Sequence, residues 1–417
     1  MALRKAGANW VDGDRFYDRE GDLEALMERV RDGTHTLLTA QRRMGKTSLV
    51  RELLRGLATA GESEPIFVDL EAANTSEDAI AEIAVQSRRA HVAWDRIKSG
   101  FVNVLRELGD RVDSVSLSDV QVKLRAGIDS GNWRLKGDEV FAALAGHDRR
   151  VVLAIDELPI LVNRLLKGHD YRITPERRQA ADEFMSWLRK NGQAHRDRVT
   201  LLLSGSVGLG PILRQAELTA HANIYSHYDL KPWDDATASN CLAELSETYS
   251  LELPPEVRQD MCRRLRWMVP HHVQQFFDCL HEHLRRERRN QASLHDVKVV
   301  YAVDMLGSRG QVGLDHYEGR LKTVLGTDLY RIALDLLTEA AVHEGRLDDD
   351  AVARYRERVP VAHESDRHPI ETVLHVLEHD GYLERCTDEY RFLSGLLEDW
   401  WRLRHGGSFL PIRRRRG

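Results

Sequence analysis

The feature that most constrains this chain is a short turn containing glycine and lysine, set between an apolar stretch and an amphipathic segment. The apolar stretch is His35–Leu38, the turn runs through Ala40–Ser48, and Ser48–Ala58 has apolar residues at helical spacing. In such a turn the backbone N–H groups at the start of a helix converge on one point, and a lysine adds positive charge. The pattern predicts a strand, an anion-binding loop and a helix, in that order.

Each residue type in this turn has a chemical reason to be there. Gly45 lets backbone N–H groups approach a polyphosphate, Lys46 reaches its terminal phosphates, and Thr47 holds Mg²⁺ through its hydroxyl. The pattern usually opens with glycine, and alanine is a tolerated variant at that position. The alternative interpretation is a basic turn that matches the motif by chance. The residues predicted to contact a nucleotide are Ala40, Gln41, Arg42, Arg43, Met44, Gly45, Lys46, Thr47 and Ser48.

A second segment, Arg150–Pro159, has the features of a Walker B strand. The apolar run Val151–Ile155 suits a central parallel strand that is buried on both faces, and two carboxylates follow it. Ligands of open α/β sheets bind at the carboxyl ends of the strands, so both carboxylates are expected to face the phosphates. Asp156 is then the predicted Mg²⁺ ligand, and Glu157 the base that accepts a proton from the attacking water.

A third apolar run, Val199–Leu203, ends in a glycine-rich turn with two serines. Ser206 or Ser204 is predicted to contact the γ-phosphate or the attacking water, and an ordinary turn is the alternative. Arg214 follows a few residues later, and its guanidinium is a candidate for contacting a phosphate in its own protomer or a neighbouring one. An arginine acting on a neighbour would require an oligomer.

Taken together, these residues resemble the prokaryotic AAA+-like ATPases of the STAND class, particularly the group known as archaeal-type ATPases. The arginine pair in the loop and the Gly-Ser after the third strand are the more specific features. The resemblance extends over most of the chain, through segments 16–20, 42–49, 66–70, 155–157, 184–189, 204–206 and 230–233.

The resemblance implies an α/β fold, in which a P-loop NTPase parallel sheet (an AAA+-like core) is followed by a helical lid and a C-terminal winged-helix domain. It also implies ATP and Mg²⁺ as cofactors, with ATP preferred over GTP. Pro270 resembles the lid proline that packs near the nucleotide base in this class, although Met268 stands where the class has glycine.

The strand and helix patterns divide the chain into regions. Alternating apolar strands and helical patterns stop near Leu230, where helical patterns take over. Helical faces followed by two short strand patterns about a Cys-Thr-Asp-Glu turn then predict a winged helix. The predicted regions are an N-terminal extension (1–18), the ATPase core (19–230), the lid and connecting helices (231–325), the winged helix (326–405) and a basic tail (406–417).

The charges on the predicted winged helix do not favour DNA binding. Its recognition helix has an exposed face without lysine or arginine, formed by His368, Glu371, Thr372, His375, Glu378 and Asp380. Acidic side chains on this face would repel phosphates. Basic residues are concentrated instead at Arg285–Arg289 and Arg413–Arg416, where nucleic-acid contact and a solvated or disordered segment are both open interpretations.

Composition predicts a cytoplasmic protein with no membrane contact. The 417 residues carry a net charge of −6, so they offer no broad basic field, and no apolar run approaches the length of a bilayer span. The N-terminus lacks a signal-peptide core, and the four cysteines show no CxxC spacing.

Three classes of function are consistent with these residues. In the first, the chain is an ATP-hydrolysing switch whose nucleotide state controls the winged-helix contacts with a protein partner or a second copy. In the second, it is a DNA-associated AAA+ ATPase, a loader, remodeller or regulator of replication or transposition, with double-stranded DNA as partner. The third is a nucleotide-binding scaffold with negligible turnover, which the alanine at position 40 and the altered lid motif leave open.

Overall fold

The computed structural model describes residues 2–6, 10–90, 94–101, 116–358 and 368–415. These residues divide into two compact units. The sheet unit comprises Arg19–Thr39 and Leu49–Leu230. The loop–lid unit comprises Met1–Asp18, Ala40–Ser48 and Lys231–Gly417. The turn that follows the first strand therefore groups with the C-terminal part of the chain.

The sheet unit contains a five-stranded parallel sheet within the described residues, with strand order β2-β3-β4-β1-β5. Strands β3 and β4 are buried along their whole length, as expected for apolar runs in the centre of a parallel sheet. The edge strand β5 alternates between half-buried and exposed residues. The strands are β1 (Thr36–Thr39), β2 (Glu64–Asp69), β3 (Val151–Asp156), β4 (Val199–Ser204) and β5 (Ser226–Asp229).

Polar side chains gather where these strands end. Asp69 on β2 lies opposite Asp156 on β3, and Ser204 on β4 lies opposite Leu38 on β1. Because all strands are parallel, their carboxyl ends share one edge of the sheet, which is the edge where ligands bind in such folds. Thr39, the last residue of β1, pairs at the same edge with Asp229. The anion-binding turn continues directly from it.

Helices connect the strands of the sheet unit. Helix α2 begins at Lys46, within the turn, and α3 begins with a capping box formed by Thr75 and Asp78. The helices are α1 (Glu20–Arg31), α2 (Lys46–Ala60), α3 (Ser76–Arg89), α4 (Trp94–Gly100), α5 (Leu117–Ala126), α6 (Trp133–Ala145), α7 (Leu158–Lys167), α8 (Pro175–Ala194) and α9 (Leu209–Gln215).

The C-terminal part of the chain is mainly helical. Its longest helix, α14, is interrupted at Gly326, whose backbone has φ 74° and ψ −179°. In the described ranges no helix is both long and apolar enough to cross a membrane. The helices are α10 (Asp235–Thr248), α11 (Pro255–Leu265), α12 (Pro270–Arg286), α13 (Leu294–Val300), α14 (Ser308–Val342), α15 (Asp349–Arg358), α16 (Pro369–His379) and α17 (Gly395–His405).

The last part of the chain has the element order of a winged helix. Three short antiparallel strands pair in the order β6-β8-β7, and α15 and α16 lie between β6 and β7 in the chain. Trp400 and Trp401 of α17 are buried. The hairpin and α16 match the predicted patterns, whereas β6 and α15 were not predicted. The strands are β6 (Arg346–Asp348), β7 (Leu383–Arg385) and β8 (Glu389–Phe392).

Candidate functional site

The acidic pair at the end of β3 is held by the sheet unit itself. Asp156 is only 3% exposed, and its Oδ1 accepts hydrogen bonds from the Ser204 hydroxyl (2.6 Å) and from the Glu157 N–H (3.0 Å). A buried carboxylate needs such donors because burial in apolar surroundings would otherwise be costly. The two donors fix the direction in which the carboxylate of Asp156 points.

Glu157 has both an unusual backbone and a fixed side chain. Its backbone is left-handed (φ 57°, ψ 26°), which costs a non-glycine residue on the order of 1 kcal/mol. Its Oε2 accepts hydrogen bonds from the Ser206 N–H (3.0 Å) and hydroxyl (2.9 Å). The ring of Pro159 occupies the space next to Gly205, between the two serines. Predicted base and predicted sensor are therefore in direct contact.

Asp69 is an acidic residue of this edge that was not among the predicted site residues. It lies opposite Asp156 in the β2–β3 pairing, and its Oδ1 accepts a hydrogen bond from the Glu71 N–H (2.8 Å). Protein atoms around the Asp69 carboxyl displace water from it and so raise its pKa. The hydrogen bond from the Glu71 N–H lowers this pKa, and the negative charge of Asp156 raises it. The sequence signal was available, since Asp69 is the next-to-last residue of the segment 66–70.

Arg214 lies on α9, and its side chain is exposed. Its assignment as an arginine finger stays a prediction.

The anion-binding turn, called the phosphate loop from here on after its predicted role, lies in the loop–lid unit and contains two residues with a left-handed backbone. Arg43 (φ 67°) and Gly45 (φ 87°) are both left-handed, and a side chain at position 45 would meet no atom within 4 Å. Glycine is therefore suited to position 45 by its backbone and not by lack of space. Lys46 is 7% exposed, and its Nζ donates to the carbonyl oxygens of Ala40 (3.0 Å) and Gln41 (3.3 Å).

The two hydroxyl residues after this lysine differ in their surroundings. The Ser48 hydroxyl accepts a hydrogen bond from the backbone N–H of Val11 (2.9 Å), in the N-terminal segment. Thr47 is half-buried next to it. Oxygen ligands such as a threonine hydroxyl and an aspartate carboxylate are those that Mg²⁺ prefers. Thr47 and Asp156 thus fit the predicted metal, each within its own unit.

Residues from the C-terminal part of the chain contact the phosphate loop. The Gln41 Oε1 accepts a hydrogen bond from the Trp267 indole N–H (2.7 Å), and the rest of its amide packs on Gly381. The Tyr317 hydroxyl donates to the carbonyl oxygen of Arg42 (3.3 Å). Trp267 precedes α12, and Gly381 lies between α16 and β7. Lid and winged helix therefore both contact the loop.

The arginine pair of the loop also lies close to the lid proline. Pro270 begins α12, and the next two residues are histidines near Arg42 and Arg43. Burial, followed by the charges of Arg43 and Arg42, lowers the pKa of His271 to about 3. The pKa of His272 is also lowered, by complete burial and by the neighbouring His271 and Arg43. The two histidines are therefore uncharged at neutral pH, and the positive charge here is that of the loop's own Arg42 and Arg43.

The predicted site residues fall into two groups. The loop–lid unit brings Pro270 together with Ala40–Ser48, in which Met44 is buried. The sheet unit brings together Asp156, Glu157 and Ser206. The roles given to these residues remain predictions.

Several arginines of the two basic clusters pair with carboxylates. Arg289 forms hydrogen bonds to both oxygens of Asp296 at 2.9 Å, and Arg415 does the same with Asp335 at 2.9 and 3.1 Å. Arg413 pairs with Asp348. Arg416 lies outside the described residues. The described part of the tail is thus fixed on the winged helix, which does not favour phosphate contact.

Comparisons with known proteins identify the fold. No family model matches the sequence, and no curated protein is similar to it. A Walker-type ATPase of Pyrococcus abyssi superposes with a TM-score of 0.59, at 17% identity, over 94% of this chain and 98% of that chain. The ORC2 protein of Aeropyrum pernix, in its ADPNP–ADP complexes, gives 0.55 at 13% identity over 95% and 94%. These structures confirm the predicted fold class.

Proposed function

We propose that this chain, which has the fold of a Walker-type AAA+-like ATPase, binds ATP with Mg²⁺ and hydrolyses it. The observation that carries the proposal is the pairing of Glu157 with Ser206 beside Asp156, at the edge of the sheet where β1 leads into the phosphate loop. An adenine nucleotide is favoured because the ORC2 protein similar in fold is described with ADPNP and ADP.

The residues then have separable roles. Lys46 and the backbone N–H groups of the loop bind the β- and γ-phosphates, while Thr47 and Asp156 hold Mg²⁺. The metal, when bound, neutralises charge that develops on the phosphate oxygens. Glu157 accepts a proton from the attacking water, and Ser206 orients the glutamate through the two hydrogen bonds that it donates.

We further propose that the nucleotide state controls the position of the winged helix. Gln41 contacts both Trp267 of the lid and Gly381 of the winged helix, so a change in the loop backbone alters both contacts. In the present arrangement Lys46 donates to carbonyl oxygens of the loop and must turn to reach a phosphate. Turning of this lysine would release the carbonyl of Gln41 and loosen the contact with Gly381.

Phosphate release from ATP tests the catalytic assignment. Wild type is measured beside Lys46→Ala and Glu157→Gln, with and without double-stranded DNA, and the molar mass is followed by light scattering. We expect Glu157→Gln to lower kcat by about 10²- to 10⁴-fold while nucleotide binding persists, since it removes only the base. Lys46→Ala should weaken binding itself.

The measurements with and without double-stranded DNA distinguish the switch from the DNA-associated ATPase. Turnover that does not depend on DNA supports a switch whose partner is a protein or a second copy. Stimulation by DNA would favour the alternative instead. Wild-type turnover no higher than that of Glu157→Gln would contradict the catalytic assignment and leave a nucleotide-binding scaffold.

A further inference from the structure

The strand beside β3 also ends in a carboxylate. Asp69 is the last residue of β2, and it pairs in register with Asp156, the last residue of β3. Paired residues of neighbouring parallel strands carry their side chains on the same face of the sheet, and the strands lie about 4.8 Å apart. Asp69 and Asp156 are therefore neighbours on one face, at the edge where ligands bind.

Backbone hydrogen bonds fix the place of Asp69 relative to β3. The Leu70 N–H donates to the carbonyl oxygen of Asp156 (3.0 Å), which extends the pairing of the two strands past Asp69. Just after β2, the Ala73 carbonyl oxygen accepts a hydrogen bond from the Arg164 guanidinium (2.8 Å), on α7. Because α7 follows the acidic pair in the chain, one continuous segment holds that pair and the end of β2 together.

The two carboxylate oxygens of Asp69 differ in their surroundings. Oδ1 accepts a hydrogen bond from the Glu71 N–H (2.8 Å), whereas Oδ2 has no hydrogen-bond or ion-pair partner in the described part of the chain. The residue as a whole is exposed, so water reaches its carboxylate. The negative charge of Asp156 acts on the same carboxyl and raises its pKa, after the larger effects of burial and of the Glu71 hydrogen bond. A divalent cation bound at Asp156 would relieve this repulsion.

The coordination chemistry of magnesium gives such a carboxylate a use. Mg²⁺ usually keeps several of its waters when one or two protein carboxylates bind it. These waters donate hydrogen bonds, so they need acceptors beside the ligands. Groups that hydrogen-bond around a metal in this way typically change its affinity about 10- to 100-fold when they are substituted. Asp69 offers an acceptor oxygen and a negative charge next to the predicted ligand Asp156.

We propose that Asp69 is a positioning residue for the Mg²⁺ of the proposed ATP site, where its Oδ2 accepts hydrogen bonds from waters of the metal held by Asp156. The inference rests on the proposed function, in which Asp156 is the Mg²⁺ ligand. Asp69 strengthens the attraction of this edge for the cation and orients the water around it. Glu157 remains the base, so Asp69 acts on metal binding and not on proton transfer.

Metal binding measured apart from turnover tests this role. Mn²⁺ suits the same carboxylate and water oxygens as Mg²⁺. It is titrated into the complex of the full chain with ADP, and unbound Mn²⁺ is followed by electron paramagnetic resonance. Asp69→Asn keeps the side-chain size and an acceptor for the Glu71 N–H but removes the charge. We expect it to weaken Mn²⁺ binding about tenfold, while binding of ADP without metal, measured by calorimetry in EDTA, stays unchanged.

Glu71→Gln is the matched control, because it removes an exposed carboxylate two residues away and keeps the N–H that bonds to Asp69. Its Mn²⁺ affinity should stay within about threefold of wild type. Asp156→Asn, which removes the predicted ligand itself, should lose more Mn²⁺ affinity than Asp69→Asn.

Three results would overturn the assignment of Asp69 alone. The first is equal Mn²⁺ affinity in wild type and Asp69→Asn, with a loss in Asp156→Asn. The second is an equal loss for Mn²⁺ and for ADP without metal, which would indicate a disturbed sheet edge. The third is a tenfold loss in Glu71→Gln as well, which would indicate a general effect of negative charge. A wild-type complex that binds Mn²⁺ no more tightly than free ADP does would instead contradict the metal site of the proposed function.

Discussion

The acidic edge of the sheet and the phosphate loop are held in place by different parts of the chain. The serines that bond to Asp156 and Glu157 are 48 and 49 residues away in sequence, on the neighbouring strand and its turn. Gln41 accepts a hydrogen bond from the indole N–H of Trp267, 226 residues away. The Arg42 carbonyl accepts one from the Tyr317 hydroxyl, 275 residues away. The acidic edge therefore depends on its own sheet, whereas the loop depends on the lid and the winged helix.

Because of this difference, the chemical step and its regulation can be altered by substitutions in separate places. Substitutions at the acidic edge should change the chemical step and the stability of the sheet. Substitutions around the loop should change nucleotide exchange and the attachment of the winged helix. If the two regions behave independently, the effects of substitutions in one should add to those in the other.

The largest effect is expected from Gly205→Ala at the acidic edge. An added Cβ would lie 2.6 Å from Pro159 Cγ, and the proline ring can give way only by moving the start of α7. We expect a loss of about 3 kcal/mol in unfolding free energy, because overpacking a filled site forces the backbone to shift.

Urea denaturation checks this, with Gly210→Ala as the matched control, since a side chain at position 210 meets nothing within 4 Å. Equal stability of the two variants would show that the serine turn is not packed against Pro159 as described.

A smaller effect, about 2 kcal/mol, is expected from Gly381→Ala at the loop. The glycine is left-handed (φ 76°), and its added methyl group would collide with the Gln41 amide. We expect faster release of a fluorescent ADP analogue, measured by stopped flow, because the loop loses its contact with the winged helix. Gln41→Ala in the same chain should restore stability in part, since it removes the collision and leaves only the backbone strain.

The control for backbone strain is Gly61→Ala. Gly61 is also left-handed (φ 67°), but an added Cβ there would have only the Arg149 side chain within 4 Å, at 3.9 Å. It should lose about 1 kcal/mol, with no change in ADP release. Faster release in this control too would remove the support for a specific contact between loop and winged helix.

Much of the acidic edge could be predicted from the sequence. Strands β3 and β4 lie within one residue of the apolar runs Val151–Ile155 and Val199–Leu203, because only central parallel strands need continuous apolar residues. Once these strands are neighbours, the carboxylates and serines that end them must meet. The edge strand Ser226–Asp229 was not predicted, since its mixed polar pattern does not distinguish it from a loop.

The surroundings of the loop could not be predicted in this way. The motif indicated a phosphate loop, but neither periodicity nor spacing relates Gln41 to Trp267 or Gly381. That contact depends on the packing of helices far apart in sequence, for which a single sequence carries no local signal. The basic tail shows the same limit, because its composition could not reveal the bonds from Arg415 to Asp335.

A moderate effect, confined to the chemical step, is expected from Ser206→Ala. The variant removes one of the two hydrogen bonds to Glu157 Oε2 and keeps the bond from the backbone N–H. We expect kcat for ATP hydrolysis to fall about tenfold, since the base is less well oriented, with ADP release unchanged. Ser206→Thr keeps the hydroxyl and should retain most of the rate. A parallel change in ADP release would mean that the two regions are coupled.

The smallest effect is expected at the histidines beside the loop arginines. Burial is the main cause of the low pKa of His271, about 3, and the charges of Arg43 and Arg42 add to it. Arg43→Gln removes one of these charges, so the His271 pKa should rise by about half a unit, measured by NMR titration, and stay below the unfolded value because burial persists.

The sign of the accompanying stability change follows from proton linkage. A histidine whose folded pKa lies below its unfolded pKa binds more protons when unfolded, so stability falls as the pH drops below about 6.5, toward the folded value. With a higher folded pKa, Arg43→Gln should lose slightly less stability than wild type as the pH falls, in urea denaturation curves at each pH, and almost all of that difference lies below pH 4, near the folded pKa. Gly210→Ala, which lies in the sheet unit, should follow wild type over this range. A His271 pKa in Arg43→Gln as low as in wild type, in the NMR titration, would mean that the loop arginine does not act on the lid histidine.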